Sequence, residues 1–140
     1  MYKDIEIYYY SNIEYSNSEN KIDYISSNNI NYSFGLSKSA DLYDQNGILN
    51  GKYVTNSIFY NYSIPIDNIS YVRNVQFTIL TNNGILSGVF AQFNRTPIPG
   101  ELIILQPTSL SQYYLGKNVF CSLEVINDPI KTRKITIFIY

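Results

Sequence analysis

The chain has 140 residues, enough for one domain with a sizeable core, and its 45% hydrophobic content excludes a disordered segment. Charged residues make up only 15%, against about 25% in ordinary soluble domains, and the net charge is −1 with a pI near 5.3. That balance excludes a general electrostatic pull on nucleic acid or an anionic membrane, and it leaves little repulsion between copies of the chain.

In chain order, the start "MYKDIEIYYY" carries early acids and no apolar run of signal-peptide length. No segment approaches the roughly 18 apolar residues of a membrane helix. Neither a signal peptide nor a transmembrane segment is therefore expected, and the expected location is cytoplasmic or virion-associated. Residues 16–29 are the most polar stretch and read as a mobile loop or a ragged edge strand. Alanine occurs only at Ala40 and Ala91, and helical periodicity is almost absent. At 39–60, "SADLYDQNGILNGKYVTNSIFY" sets Asp41 and Asp44 ahead of Asn46, Gly47 and Gly51. This predicts a turn in which Asp44, Asn46 and Gly47 set the bend and Gly51 leads into the next strand.

Period-two alternation dominates from there. In 53–62, Val54, Ile58, Tyr60 and Tyr62 share one face, with Thr55, Ser57 and Asn61 on the other. Residues 74–80 align Val75, Phe77 and Ile79, and 85–93 align Ile85, Val89, Ala91 and Phe93. "NNG" at 82–84 lies between those two runs and signals a hairpin. Pro97 and Pro99 break pairing in 94–100, and "PTSLSQYYL" at 107–115 predicts a helical turn begun by Pro107 and Thr108. In 119–126, Val119, Cys121, Leu123 and Val125 align, with Ser122 and Glu124 opposite. "NDP" at 127–129 then precedes a closing strand that ends in "ITIFIY". About seven or eight short strands predict a single all-β domain over 1–140. The expected architecture is an antiparallel β-barrel of about eight strands, with a β-sandwich or jelly roll as the alternative.

Raw material for catalysis is scarce. With no histidine, Ser-His-Asp and Cys-His arrangements are excluded. The single cysteine, Cys121, forms no intramolecular disulfide and reads as a small buried hydrophobe. Zinc lacks ligands, and no Gly-rich phosphate loop is present. "DQNG" matches the heart of an EF-hand loop, but that register puts Leu42 and Tyr53 where acidic ligands belong. No metal, cofactor or catalytic residue is therefore expected, although eleven acids leave a carboxylate pair formally open. "KTRK" at 131–134 reads as a solvated loop or edge guard.

Tyrosine is the most unusual feature, at 15 residues. Tyr8, Tyr10, Tyr113 and Tyr114 are candidates for ligand stacking or a protein interface. They lack neighbouring lysines or arginines in the sequence, which argues against a single-stranded nucleic acid platform. The plainer reading of them is the surface of a β-sheet.

From residue 34 onward, "ADLYDQNGILNGKYVTNSIFY", "FTILTNNGILSGVFAQF" and "NDPIKTRKITIFIY" resemble the turn, hairpin and closing strand of allene oxide cyclase and dirigent barrels. The resemblance implies an eight-stranded barrel, commonly trimeric, with a pocket that orients a small hydrophobic or phenolic ligand. "QYYLGKN" holds Gly116 alone where those families carry a Gly-Gly-Thr-Gly type element, so no catalytic residue is carried over.

The expected function is binding or assembly without catalysis, through self-association as a homo-oligomer or contact with another protein. Nucleic acid and membrane are not expected partners. The bias toward Ile, Asn, Tyr and Lys fits an A/T-rich genome, such as that of a large DNA virus, and suggests a viral structural or accessory protein. The alternative is a dirigent-like or cyclase-like barrel that binds a small ligand, and glycan stacking on tyrosines is a third reading.

Overall fold

The computed structural model describes residues 4–24, 30–66, 69–93 and 99–140. The strands are β1 (Asp4–Ser11), β2 (Asn20–Tyr24), β3 (Ile30–Tyr43), β4 (Leu49–Ile66), β5 (Ile69–Thr81), β6 (Gly84–Phe93), β7 (Leu102–Leu105), β8 (Pro107–Leu110), β9 (Val119–Val125) and β10 (Thr132–Ile139). One helix, α1 (Asn12–Asn17), and a 3-10 turn at Gln112–Tyr114 complete the described elements.

Antiparallel pairing runs in the order β7-β9-β10-β1-β3-β4-β5-β6-β8, a nearly closed barrel of nine strands. Two short strands close it, because β7 and β8 are halves of one run that changes partner at Gln106. β7 pairs with β9, and β8 pairs with β6. The Gln106 side-chain amide bridges the break, its Nε2 donating to the Val119 carbonyl at 3.2 Å. The barrel expectation holds, and the sandwich alternative does not form.

β2 lies off this path, paired only with the N-terminal half of β3. Residues 20–24 are thus a strand at the sheet's edge, while 25–29 of the polar stretch fall outside the described residues, as does Pro97.

The inward faces of β5, β9 and β10 are the apolar ones of the sequence: Val75, Phe77 and Ile79; Val119, Cys121, Leu123 and Val125; Ile135, Ile137 and Ile139. β4 and β6 turn the other way. β4 buries Tyr53, Thr55, Ser57 and Phe59 and leaves Ile58 39% exposed; β6 buries Leu86 and leaves Val89 67% exposed. Size decides the matter: Tyr53, Phe59 and Leu86 remove more apolar area from water than Val54 or Val89 could. Gly88 makes the room, since a Cβ there would lie 2.9 Å from the Phe77 ring.

Helix α1 was not signalled by periodicity, yet its cap is local. The Ser11 Oγ accepts from the Glu14 amide at 3.3 Å, the Ser-x-x-Glu spacing of a capping box. The helix interrupts the lane in which β1 and then β2 run beside β3, and its side chains serve the strand groups left there. Glu14 Oε1 accepts from the Asp41 amide at 3.2 Å, and Ser18 Oγ sits 2.8 Å from both the Ser39 nitrogen and its oxygen. The helical turn expected from Pro107 starts later, at Gln112, because Ser109 and Leu110 are still paired with β6.

Asp44 organises the β3–β4 turn. Its Oδ1 accepts from the Asn46 and Ile48 amides at 2.9 and 3.0 Å, and the Gly47 amide donates to the Asp44 carbonyl at 3.0 Å. Gly47 takes φ +76°. Asp41 stands outside the bend, within the strand, 3.5 Å from Lys52 of its cross-strand pair.

Candidate functional site

β1 pairs with β10 so that Tyr8 lies beside Ile135 and Glu6 beside Ile137, which turns Glu6, Tyr8 and Tyr10 toward the interior and leaves Asp4 exposed at the strand's start. Tyr8 and Tyr10 are each 4% exposed, and Tyr114, held by the 3-10 turn, is 0% exposed. These three therefore line the interior rather than a sheet surface. Tyr113 alone of the four candidates faces out, at 43% exposed. Lys117, four residues further along the chain, places its Nζ 4.1 Å from the Tyr113 ring centroid.

One end of the interior holds a carboxylate between tyrosines. Glu6 Oε1 accepts from the Tyr8 and Tyr114 hydroxyls at 2.7 Å each, and its Oε2 accepts from Asn83 Nδ2 at 3.1 Å. The Tyr114 hydroxyl also lies 2.7 Å from Thr81 Oγ1. At the other end α1 drives Tyr15 into the barrel against Tyr10 and Tyr53, at centroid distances of 5.7 and 5.9 Å. Between the two ends, Tyr53, Phe77, Leu86 and Leu105 fill the space. The interior is a packed core.

This packing makes the fold sensitive to alkali. Burial pushes the Cys121 thiol from 9.0 up to about 12. Burial also raises the Tyr8, Tyr10, Tyr53 and Tyr114 hydroxyls above 10.0, with Glu6 adding to the rise at Tyr8 and Tyr114. Each group releases its proton more readily unfolded than folded, so its stabilisation is whole below its unfolded value and is lost as pH climbs above it. Stability should fall from pH 9.0 toward 12 and steepen past 10.0. Urea titrations across that range should show a slope of about 1.4 kcal/mol per pH unit for each such group. Cys121→Ala should remove the fall between pH 9.0 and 10.0 and lower the slope by about 1.4 kcal/mol per pH unit from there to about 12; an unchanged profile would mean that the thiol does not contribute.

A concavity of about 680 Å³ lies outside the barrel, on the outer face of β2–β6. Register builds it from two rungs. Ile22, Gly35, Ile58, Asn74 and Ala91 are successive cross-strand partners in the first, and Asn20, Ser37, Asn56, Gln76 and Val89 in the second. The Ser37 hydroxyl donates to the Asn56 amide oxygen along the second rung. Among the described residues no charged side chain lines this groove, and Ile22 stands 62% exposed within it. Sequence alternation could have found the apolar half, because Ile58, Val89 and Ala91 fall on one parity of their strands. It could not join them to Ile22, whose place depends on β2 pairing with β3.

Among the described residues no group of three His, Cys, Asp or Glu side chains converges on a metal position, and no helix is long and apolar enough to cross a membrane. No protein-family model matches the chain, and neither does any curated protein.

Proposed function

We propose that the protein is a binding and assembly module that works through the outer face of β2–β6, and that a second copy of the chain occupies this face. The carrying observation is the contrast between an interior filled by Tyr8, Tyr10, Tyr53, Phe77 and Tyr114 and an open, charge-free groove on the outside. An uncharged amide-and-isoleucine surface sheds its water without the cost of desolvating an ion. Two identical uncharged faces also meet without repulsion, and a two-fold contact makes one patch serve both partners. The net charge of −1 favours the same outcome at long range. A larger assembly, including a viral particle, is the same reading extended, with the charge-poor, A/T-rich composition as its support.

The test is light scattering over a concentration series. The wild type should be a dimer or higher oligomer, and Ile58→Arg or Val89→Arg should return it to monomer, because each would bury an unpaired charge at the contact. Both positions are exposed, so the folded monomer should tolerate either change. A wild type that stays monomeric at millimolar concentration would overturn the assembly reading.

A second reading, a dirigent-like barrel that orients a small ligand, is favoured by the carboxylate of Glu6 set between Tyr8 and Tyr114. It requires room that those aromatic rings now fill.

A further inference from the structure

Past the Tyr15 plug, the inward face of the long strands carries polar groups where a core would carry methyls. Arg73 on β5 is the centre. Its Nε and Nη2 each lie 3.2 Å from Ser57 Oγ, Nη2 lies 3.3 Å from the Tyr15 hydroxyl, and Nη1 donates to Gln92 Oε1 at 2.9 Å. The guanidinium carbon packs 5.4 Å from the Phe59 ring centroid. Every one of these partners is neutral. Lys38 on β3 comes to the same place, facing Thr55 across the β3–β4 pair with its Nζ 5.2 Å from the Tyr15 ring centroid. Tyr15 thus touches both cations, one through its hydroxyl and the other through its ring. Arg133, beside Tyr10 in the β1–β10 register, adds a third positive charge at this end.

Among the described residues neither Arg73 nor Lys38 has a carboxylate within ion-pair distance; the ion pairs found are Lys21–Asp23 and Lys52–Asp41. Burial lowers the Lys38 pKa and the neighbouring Arg73 lowers it further, while Glu19 acts in the opposite direction. Two half-buried like charges with no carboxylate in direct contact among the described residues raise the energy of the empty protein, which Glu19 eases at Lys38 from a distance, and an anion would relieve both at once. The donors are already aimed. Ser57 Oγ accepts from Arg73 twice, which leaves its own hydrogen to donate. Among the described residues, one Nη1 hydrogen of Arg73 and all three of Lys38 also have no acceptor. Donors on three side chains suit an oxyanion with several oxygens better than they suit a halide.

We propose that the α1-plugged mouth of the barrel is a binding site for a phosphate-type oxyanion, held by Arg73 and Lys38 with Ser57 as a neutral donor. The site is on the inward face and shares only Ser57 with the lining of the outer groove of β2–β6, while Arg73 and Lys38 belong to it alone, so either can fail without the other.

Inorganic phosphate is the probe, followed by calorimetry and by thermal melts at low salt, with chloride at matched ionic strength as control. Phosphate should raise the melting temperature of the wild type well above the chloride control. Lys38→Met should raise the melting temperature of the free protein by removing the like charge, and should weaken phosphate binding about tenfold or more. Arg73→Gln should abolish binding; circular dichroism reports whether it folds, and Lys38→Met carries the test if it does not. Glycerol 3-phosphate in a parallel arm separates an esterified phosphate, which should bind more tightly if it is the natural form, from the free ion. A phosphate response no larger than chloride's would overturn the proposal, as would wild-type binding in both variants. Acetate binding as tightly as phosphate would overturn the phosphate assignment.

Discussion

Replacing Gly51 with alanine should destabilise the fold by about 3 kcal/mol or more, a large cost for one methyl group. An added Cβ would lie 1.8 Å from the Leu80 carbonyl oxygen and 3.0 Å from the Thr81 Cα. Both obstacles are backbone, so no side chain can swing aside. Relief would have to come from moving β5, and Thr81 cannot move without pulling its hydroxyl off Tyr114, 2.7 Å away. Gly47, four residues earlier, is the built-in comparison. A Cβ there meets nothing within 4 Å, so Gly47→Ala pays only for holding φ at +76°, about 1–2 kcal/mol. Urea unfolding of the two variants decides between them. Equal losses would mean that β5 yields to the extra methyl, and that Gly51 is no close-contact position.

That contrast shows which parts of the fold were legible in the amino-acid sequence. "DQNG" is a local signal, because the Asp44 carboxylate reaches amides only two and four residues away. Hairpins and alternating strands are local in the same sense, and they carried the barrel expectation. Gly51 owes its role to β5, thirty residues downstream, and nothing near it in the chain reports the contact. The sidedness of β4 and β6 was lost for a related reason. Alternation says which residues share a face but not which face turns inward, and on β4 both faces carry large apolar side chains. Tyrosine suits exposed sheets, so the local pattern does not turn Tyr8 and Tyr10 inward, and the partner that draws Tyr8 in, Glu6, looks in the sequence like any other early acid. Arg73 gave no sequence signal at all. Its neighbours Tyr15, Ser57 and Gln92 come from α1, β4 and β6, and only the register of β4, β5 and β6 with the docking of α1 collects them.

Glu6 carries the second large expected effect. Its carboxylate accepts from two buried tyrosine hydroxyls, and a hydrogen bond to a charged acceptor contributes about 1.5–3 kcal/mol. Glu6→Ala should therefore cost about 3 kcal/mol, kept at the low end because Glu6 is only half-buried. Glu6→Gln should cost roughly half as much. Its amide oxygen can still accept, but its nitrogen must then face either the hydroxyls or Asn83 Nδ2, donor against donor. A double-mutant cycle with Tyr114→Phe isolates the link: the tyrosine change should cost about 1 kcal/mol less in the Glu6→Ala background than in the wild type. A coupling near zero would mean that Thr81 alone holds the Tyr114 hydroxyl. A Glu6→Ala chain that unfolded at the wild-type urea midpoint would release the carboxylate from any structural duty. Glu6 would then be an acid kept inside the barrel at no benefit to the fold, and the ligand-orienting reading would gain the reactive group it otherwise lacks.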